Sequence, residues 1–343
     1  MSGAVFYVAA MSEQPDGGIY RYEMREPAAP VQVGFTPVPN ANYIAFSPDG
    51  KYMYTTCSVE DAGGVASFRI EADGSLVPIN TCAAGGRSTC YVITDPSGKF
   101  LYAANYSTGT FAEFKLDNGR IVERTQLIQH EGKGPNAARQ ECAHPHFTGL
   151  SPDGRYLCVI DLGIDAIKAY PIDPEKGLDA AGAITSPVRP AGSGPRHLVF
   201  DRSGKIAYLL NELGNTVISC RYADGRFEAI ETRSTLPALV NVATKAAAVR
   251  LSADERYLFA SNRGFDSIAV FRLDGKGGME RTSLVLSGGS SPRDINFLPG
   301  GTMFAAANEF SDVLVFFDYD GEGGLTPNGL IYKLPRPLCV MWR

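Results

Sequence analysis

The sequence predicts an all-β protein: a seven-bladed β-propeller of four-stranded antiparallel blades, with the last blade closed by N-terminal strands and a C-terminal inner strand. Three observations predict it. The first is a phrase that recurs six times, an apolar strand, a turn and a second apolar strand. The copies are NYIAFSPDGKYMYTTCS from Asn42, CYVITDPSGKFLYAANY from Cys90, HFTGLSPDGRYLCVIDL from His146, RHLVFDRSGKIAYLLNE from Arg196, AAVRLSADERYLFASNR from Ala247 and RDINFLPGGTMFAAANE from Arg293. The second is the interval. The turn openers Ser47, Asp95, Ser151, Asp201, Ser252 and Leu298 stand 48, 56, 50, 51 and 46 residues apart, the length of one propeller blade. The third is that the two ends complement each other. Residues 5–9 and 19–23 resemble second and third strands that lack a first, and residues 336–340 resemble a first strand that lacks a second. Joined, they make a seventh blade and leave no free sheet edge.

Within a repeat the elements follow in order. In the copy that starts at His146, residues 146–150 form the inner strand and Ser151-Pro152-Asp153-Gly154 the turn. Residues 156–160 form the second strand, 166–172 the third, and a looser stretch the fourth. Pro presets φ and Gly accepts a positive φ, which suits a tight turn. Third strands are expected from the alternation in runs such as residues 268–273 and 313–317, and end in Asp/Gly turns such as Asp73-Gly74, Asp224-Gly225 and Asp274-Gly275. Two longer inserts interrupt the period, at residues 126–142 and 234–245. Residues 1–343 read as one domain.

Composition bounds the partners. A hydrophobic content of 44% with 37 Gly and 22 Pro suits a turn-rich β protein with an ample core. The net charge of −5 comes without a basic run, which argues against nucleic acid and anionic membranes. No basic leader with a long apolar segment opens the chain, and nowhere do about 18 apolar residues run together. The seven cysteines are an odd, scattered set without a CxxC pair. They read as small buried hydrophobes in a reducing compartment, so the cytoplasm is expected. Monomer is the expected state of a closed propeller.

Equivalent positions in successive blades converge on the axis. The first residues of the inner strands read Asn42, Cys90, His146, Arg196, Ala247, Arg293 and Arg336. A second series lies beyond the second strands: Cys57, Asn105, Asp161, Asn211, Asn262 and Asn308, followed at the next position by Ser58, Tyr106, Leu162, Glu212, Arg263 and Glu309. Cations, two carboxylates and a histidine at one funnel mouth describe a site for a small anion with proton chemistry. Arg grips phosphate or carboxylate with paired bonds of roughly 1.5–3 kcal/mol each. His146 can exchange protons near neutral pH, and Glu212 could activate water. Plainer roles compete. The Asn/Asp run reads better as loop-capping Asx turns than as a Ca²⁺ site, because its neighbours are cationic. His144 and His146 form HxH without a further ligand at metal spacing, His130 has no evident role, and the arginines could simply pair with Glu309 or Asp294.

ArgGlnGlu-x-x-HisxHis (residues 139–146), SPDGRYL and DLGxD (residues 161–165) resemble the seven-bladed lactonase family. So do GPRHLVF (194–200), Asn211-Glu212-Leu213, SNRGFDSIAVF (261–271), and PRDINF with AANE (292–309). That family includes the propeller-type bacterial 6-phosphogluconolactonase and the fungal carboxy-cis,cis-muconate lactonizing enzyme. The resemblance covers the whole chain and implies a site without metal or cofactor. By motif it makes His146, Arg196, Glu212 and Arg263 catalytic. Arg293, Arg336, His144, His197, Glu309 and Asn308 are the expected substrate-binding residues. Glu309 departs from the Gln of many relatives, and the Ala191–Gly194 entrance is unusually small. The expected ligand is a small anionic lactone or sugar phosphate. The expected reaction is hydrolysis of 6-phospho-D-glucono-1,5-lactone in the pentose phosphate pathway. Arg293 or Arg336 would hold phosphate, Arg196 and Arg263 would polarise the carbonyl, and Glu212 or His146 would be the base. Arg196→Ala is expected to cut turnover with little change in melting temperature. Three alternatives remain at this point: muconate-type cyclisation of a dicarboxylate on the same arginines, a non-catalytic interaction platform, and a Ca²⁺-dependent lactonase, which chelator would inactivate. WD40 identity is disfavoured, because the sole tryptophan is Trp342.

Overall fold

Each repeat folds as one sheet because its second strands, such as residues 100–105, 206–211 and 303–308, are near-continuous apolar runs buried on both faces, and its turns carry the residues that tight reversal needs. The computed structural model describes residues 3–12, 14–25, 29–240 and 242–343. Seven antiparallel sheets form a propeller. The inner strands are Ile44–Phe46, Thr89–Thr94, Pro145–Leu150, Pro195–Phe200, Lys245–Leu251, Pro292–Phe297 and Pro337–Trp342, each packed on the next around the ring. The closing blade runs Pro337–Trp342, Val5–Ala10, Gly18–Arg25, Ala29–Pro37, with Val8 opposite Val340, as the chain ends predict. The looser fourth strands are regular in six blades. In the blade that starts at Pro145 the fourth strand is divided between Gly177–Leu178 and Ile184–Pro187. The neighbouring blade holds the first piece, whose Leu178 amide donates to the Glu113 carboxylate at 2.6 Å.

The turns show their chemistry directly. In Ser-Pro-Asp-Gly the Ser47 and Ser151 hydroxyls donate to Asp49 and Asp153 at 2.6 Å, and Gly50 and Gly154 both sit at φ 69°. The copy at Ser252 has Glu255 where the others have glycine, and it adopts φ 59°. The core lies between blades rather than within one. Tyr54 and Val65 of one sheet pack with Val92, Leu101 and Phe114 of the next, and such clusters recur around the ring.

Inner strands carry a bulge at their first turn, and this aims the site residues. Pro145 pairs with Asp161 and Phe147 with Ile160, which leaves His146 unpaired between them. Arg196, Cys90 and Arg293 occupy the same extra position in their strands. A bulge breaks the two-residue alternation, so consecutive side chains can face the same side. His146 and Arg293 therefore line the mouth and Arg196 lies buried just behind it against Glu212, while the residues after Asn42, Cys90, His146 and Arg196 form a floor beneath them. Tyr43 stacks on Tyr91 (3.8 Å), Tyr91 meets Phe147 (4.4 Å), and the His197 ring lies 5.5 Å from both Tyr91 and His146. Farther along the inner strands, Arg250 pairs with Asp294 at 2.7 Å. The Arg336 expectation needs correcting. Ala10 pairs with Pro337 and Ala9 with Cys339, so Leu338 holds the ring position and Arg336 lies in the loop before it.

The Asn/Asp series is structural. Asn105, Asn262 and Asn308 donate to the carbonyls of Ala84, Thr235 and Ser287, in the segments that lead from one blade to the next. Asp161 performs this task with a charge. It accepts from the His144 and Gly163 amides and sits 2.7 Å from His130 Nδ1, while His130 Nε2 meets the Tyr170 hydroxyl at 2.8 Å. His130 is thus a buried latch between blades rather than an idle loop residue. His130→Ala would leave the Asp161 oxygen without its partner, so a loss of about 1–3 kcal/mol in urea unfolding is expected, with turnover unchanged.

Candidate active site

A cavity of about 1370 Å³ opens at the mouth where the bulged strands begin. Its wall includes Tyr106, Arg139, His146, Glu212, Arg263, Arg293 and Arg336. Glu212 is its electrostatic centre. One carboxylate oxygen accepts from Arg139 Nη2 at 2.6 Å. The other accepts from Arg263 Nη2 at 2.8 Å and Arg196 Nε at 3.1 Å. Burial alone would raise this carboxyl, but Arg263, Arg196 and Arg139 outweigh it and hold the group far below the ordinary carboxylate range. A carboxylate so clamped is a poor proton acceptor, so Glu212 serves as the fixed counter-charge of a guanidinium cage.

His146 has the complementary character. Burial, then the Arg196 charge, drives its pKa far below 6.5, so the ring is neutral at pH 7. Its Nδ1 has no hydrogen-bond partner among the described residues, and its ring lies edge-on to Tyr106 at 5.6 Å. Of the two candidate bases only His146 is uncharged and unengaged. Burial and the nearby Arg263 and Arg293 pull the Arg196 pKa down as well, although a guanidinium remains protonated in water at neutral pH.

A second cluster sits closer to solvent. Glu309 accepts from Arg336 Nη2 at 2.7 Å and lies 3.5 Å from Arg293 Nη1, so Arg293 is the more weakly engaged cation. The two clusters, Arg139, Arg196, Arg263, Arg293 and Arg336 against Glu212 and Glu309, carry a net of +3, which falls to +1 once the bordering Arg87, Glu60, Asp61 and Asp312 are counted. The Cys57 and Cys90 thiols on its wall are pushed up to about 12 by burial, so neither is a nucleophile at neutral pH.

The structure brings His146, Arg196, Glu212 and Arg263 together and places Arg293, Arg336 and Glu309 beside them. Three expected substrate-binding residues lie elsewhere. Asn308 is a blade latch, His197 belongs to the floor with Arg196 Nη1 3.1 Å from its Nε2, and His144 stands behind Tyr106. Arg139 and Tyr106 were not expected in the site. Arg139 donates to both Glu212 and the Tyr106 hydroxyl, and it sits in the insert, outside the repeat. Arg196 is almost wholly buried, so Arg196→Ala should disturb the fold as well as the chemistry, contrary to the expectation of an unchanged melting temperature.

Fold and site together define a propeller with a recessed, arginine-lined cavity. The chain belongs to the seven-bladed β-propeller lactonase family, whose model matches residues 5–342. Curated relatives include an uncharacterized protein of Staphylococcus saprophyticus, 33% identical over 327 residues that cover 93% of this chain and 90% of that protein. Among solved structures, a protein of Bacteroides fragilis described as a candidate 6-phosphogluconolactonase superposes with a TM-score of 0.92 at 32% identity, covering 99% of this chain and 98% of that one. The periplasmic gluconolactonase of Pseudomonas aeruginosa superposes with a TM-score of 0.91 at 28% identity, covering 99% of both. The muconate alternative draws no support from these names.

Proposed function

We propose that the protein hydrolyses the lactone of a phosphorylated sugar acid, 6-phospho-D-glucono-1,5-lactone, to 6-phosphogluconate. The observation that carries the reading is one cavity holding a neutral, unpartnered imidazole beside a guanidinium cage with excess positive charge. The names of the structural neighbours supply the substrate class.

In the mechanism, His146 takes a proton from water as its oxygen attacks the lactone carbonyl carbon. Negative charge develops on the carbonyl oxygen, and the Arg196 and Arg263 guanidiniums stabilise it. The intermediate collapses with cleavage of the bond between that carbon and the ring oxygen. The imidazolium returns its proton to the departing oxygen, and the new carboxyl group loses its own proton to solvent. Glu212 stays ionised throughout and keeps the arginines in register. Bound phosphate would offset part of the positive field and make protonation of His146 easier during turnover. No step requires a metal or cofactor. We extend the proposal to a cytoplasmic monomer, because dianionic sugar phosphates do not cross a bilayer unaided.

Arg293, loosely paired with Glu309, is the proposed phosphate holder. Arg293→Gln should raise KM for 6-phosphogluconolactone about tenfold or more, the effect of losing one charge-assisted bond. KM for unphosphorylated gluconolactone should change far less. Equal shifts for both substrates, or none, would refute the phosphate assignment.

A further inference from the structure

We propose that Glu141, Cys142 and His144 form a binding site for a thiophilic divalent cation, Zn²⁺ by its donor set, outside the cavity wall and behind Tyr106. The three donor atoms lie within 4.8 Å of one another. His144 Nε2 is 3.3 Å from Glu141 Oε1 and 3.8 Å from Cys142 Sγ. Around tetrahedral zinc, with bonds of about 2.0–2.3 Å, adjacent N and O ligands stand about 3.3 Å apart and adjacent N and S ligands about 3.6 Å. The two pairs that share His144 stand close to that geometry, and the Glu141 and Cys142 donors, within 4.8 Å of each other, would close to about 3.5 Å around the ion.

The second observation is how His144 is held. Its Nδ1 lies 2.8 Å from the Tyr106 carbonyl oxygen, which can only accept, so Nδ1 carries the hydrogen. In the neutral ring the lone pair then sits on Nε2, the atom turned to Glu141 and Cys142. A carbonyl partner that fixes the tautomer in this way is the usual outer support of a metal-binding histidine. The ring is further pinned by stacking on Tyr106, with centroids 4.4 Å apart and planes 9° from parallel. A proton on Nε2 would serve Glu141 alone, whereas a cation satisfies the carboxylate, the thiolate and the imidazole together. Glu141 is exposed, so a water molecule can complete the coordination.

None of the three residues lines the substrate cavity, so the ion takes no part in the proposed hydrolysis. It would tie the insert that carries Arg139 to the wall residue Tyr106, whose hydroxyl accepts from Arg139 at 3.1 Å. The site stands or falls independently of the lactonase reading.

The test is a Co²⁺ titration of the chelator-stripped full chain, followed by absorption spectroscopy and Zn²⁺ competition. A thiolate-to-cobalt charge-transfer band is expected, saturating at one ion per chain and displaced by Zn²⁺. Cys142→Ser should remove the band, which also excludes binding at Cys82, the other partly exposed thiol among the described residues. Glu141→Gln, at an exposed position that the fold does not depend on, should weaken affinity about tenfold or more. Absence of the band, its survival in Cys142→Ser, or unchanged affinity in Glu141→Gln would overturn the site and leave an ordinary Glu141–His144 pair.

Discussion

His146→Gln is expected to lower turnover of 6-phosphogluconolactone by about 10²–10⁴-fold, the usual contribution of a positioned base. Its melting temperature should stay near that of the wild type, because no hydrogen bond to Nδ1 is lost among the described residues. The pH profile follows from the same environment. Activity needs the neutral imidazole and disappears as pH falls through the His146 pKa. Burial and Arg196 hold that pKa well below 6.5, so kcat/KM should stay flat from neutral pH down through 6.5 and fall only in more acid solution. The acid limb of kcat should lie higher, because bound phosphate offsets the arginines. A kcat/KM midpoint at or above 6.5, or near-normal turnover in His146→Gln, would remove His146 from the role.

Glu212→Ala should be the most destabilising single change in the site. It would leave Arg139, Arg196 and Arg263 facing one another without their shared carboxylate. Breaking a buried ion pair from one side costs about 3–5 kcal/mol, a loss that denaturant titration would resolve. Glu212→Gln keeps the shape and some of the hydrogen bonds, so it should cost less. It also separates clamp from base. If Glu212 only holds the arginines, Glu212→Gln lowers kcat and moves the acid limb to lower pH, because the lost carboxylate charge no longer raises the His146 pKa. If the limb disappears in this variant, Glu212 is the base after all.

The blades were legible because their signal is periodic, and each copy of the Ser-Pro-Asp-Gly turn marks its register. His146, Arg196 and Arg293 were legible for the same reason, since the bulge that turns them to the axis recurs at one offset. Arg336 was misplaced by two positions because the leading arginine of residues 336–340 matches Arg196 in type, whereas the bulge of the closing strand falls on Leu338 after Pro337, as it does after Pro145 and Pro195. Arg139 could not be found by counting, since it lies in an insert with no counterpart in other blades and reaches Glu212 across 73 residues. The one available signal was its place in the ArgGlnGlu-x-x-HisxHis motif. The choice of base between Glu212 and His146 stayed open in the sequence for a related reason. Three guanidiniums from three separate segments converge on Glu212, and only their combined field decides whether a buried carboxyl is a base or a counter-ion. The Asn run is structural, though not through the Asx turns its recurrence suggested: Asn105, Asn262 and Asn308 latch onto the segment before their blade through their side-chain amides, while Asn211 bonds Thr216 of its own blade instead.

The most direct measurement is the opening of 6-phospho-D-glucono-1,5-lactone by chelator-treated wild-type protein, followed continuously against the spontaneous rate. The account predicts saturable, chelator-resistant acceleration that His146→Gln largely removes. A rate no faster than the spontaneous reaction, or one that collapses in chelator and returns with added metal, would contradict it.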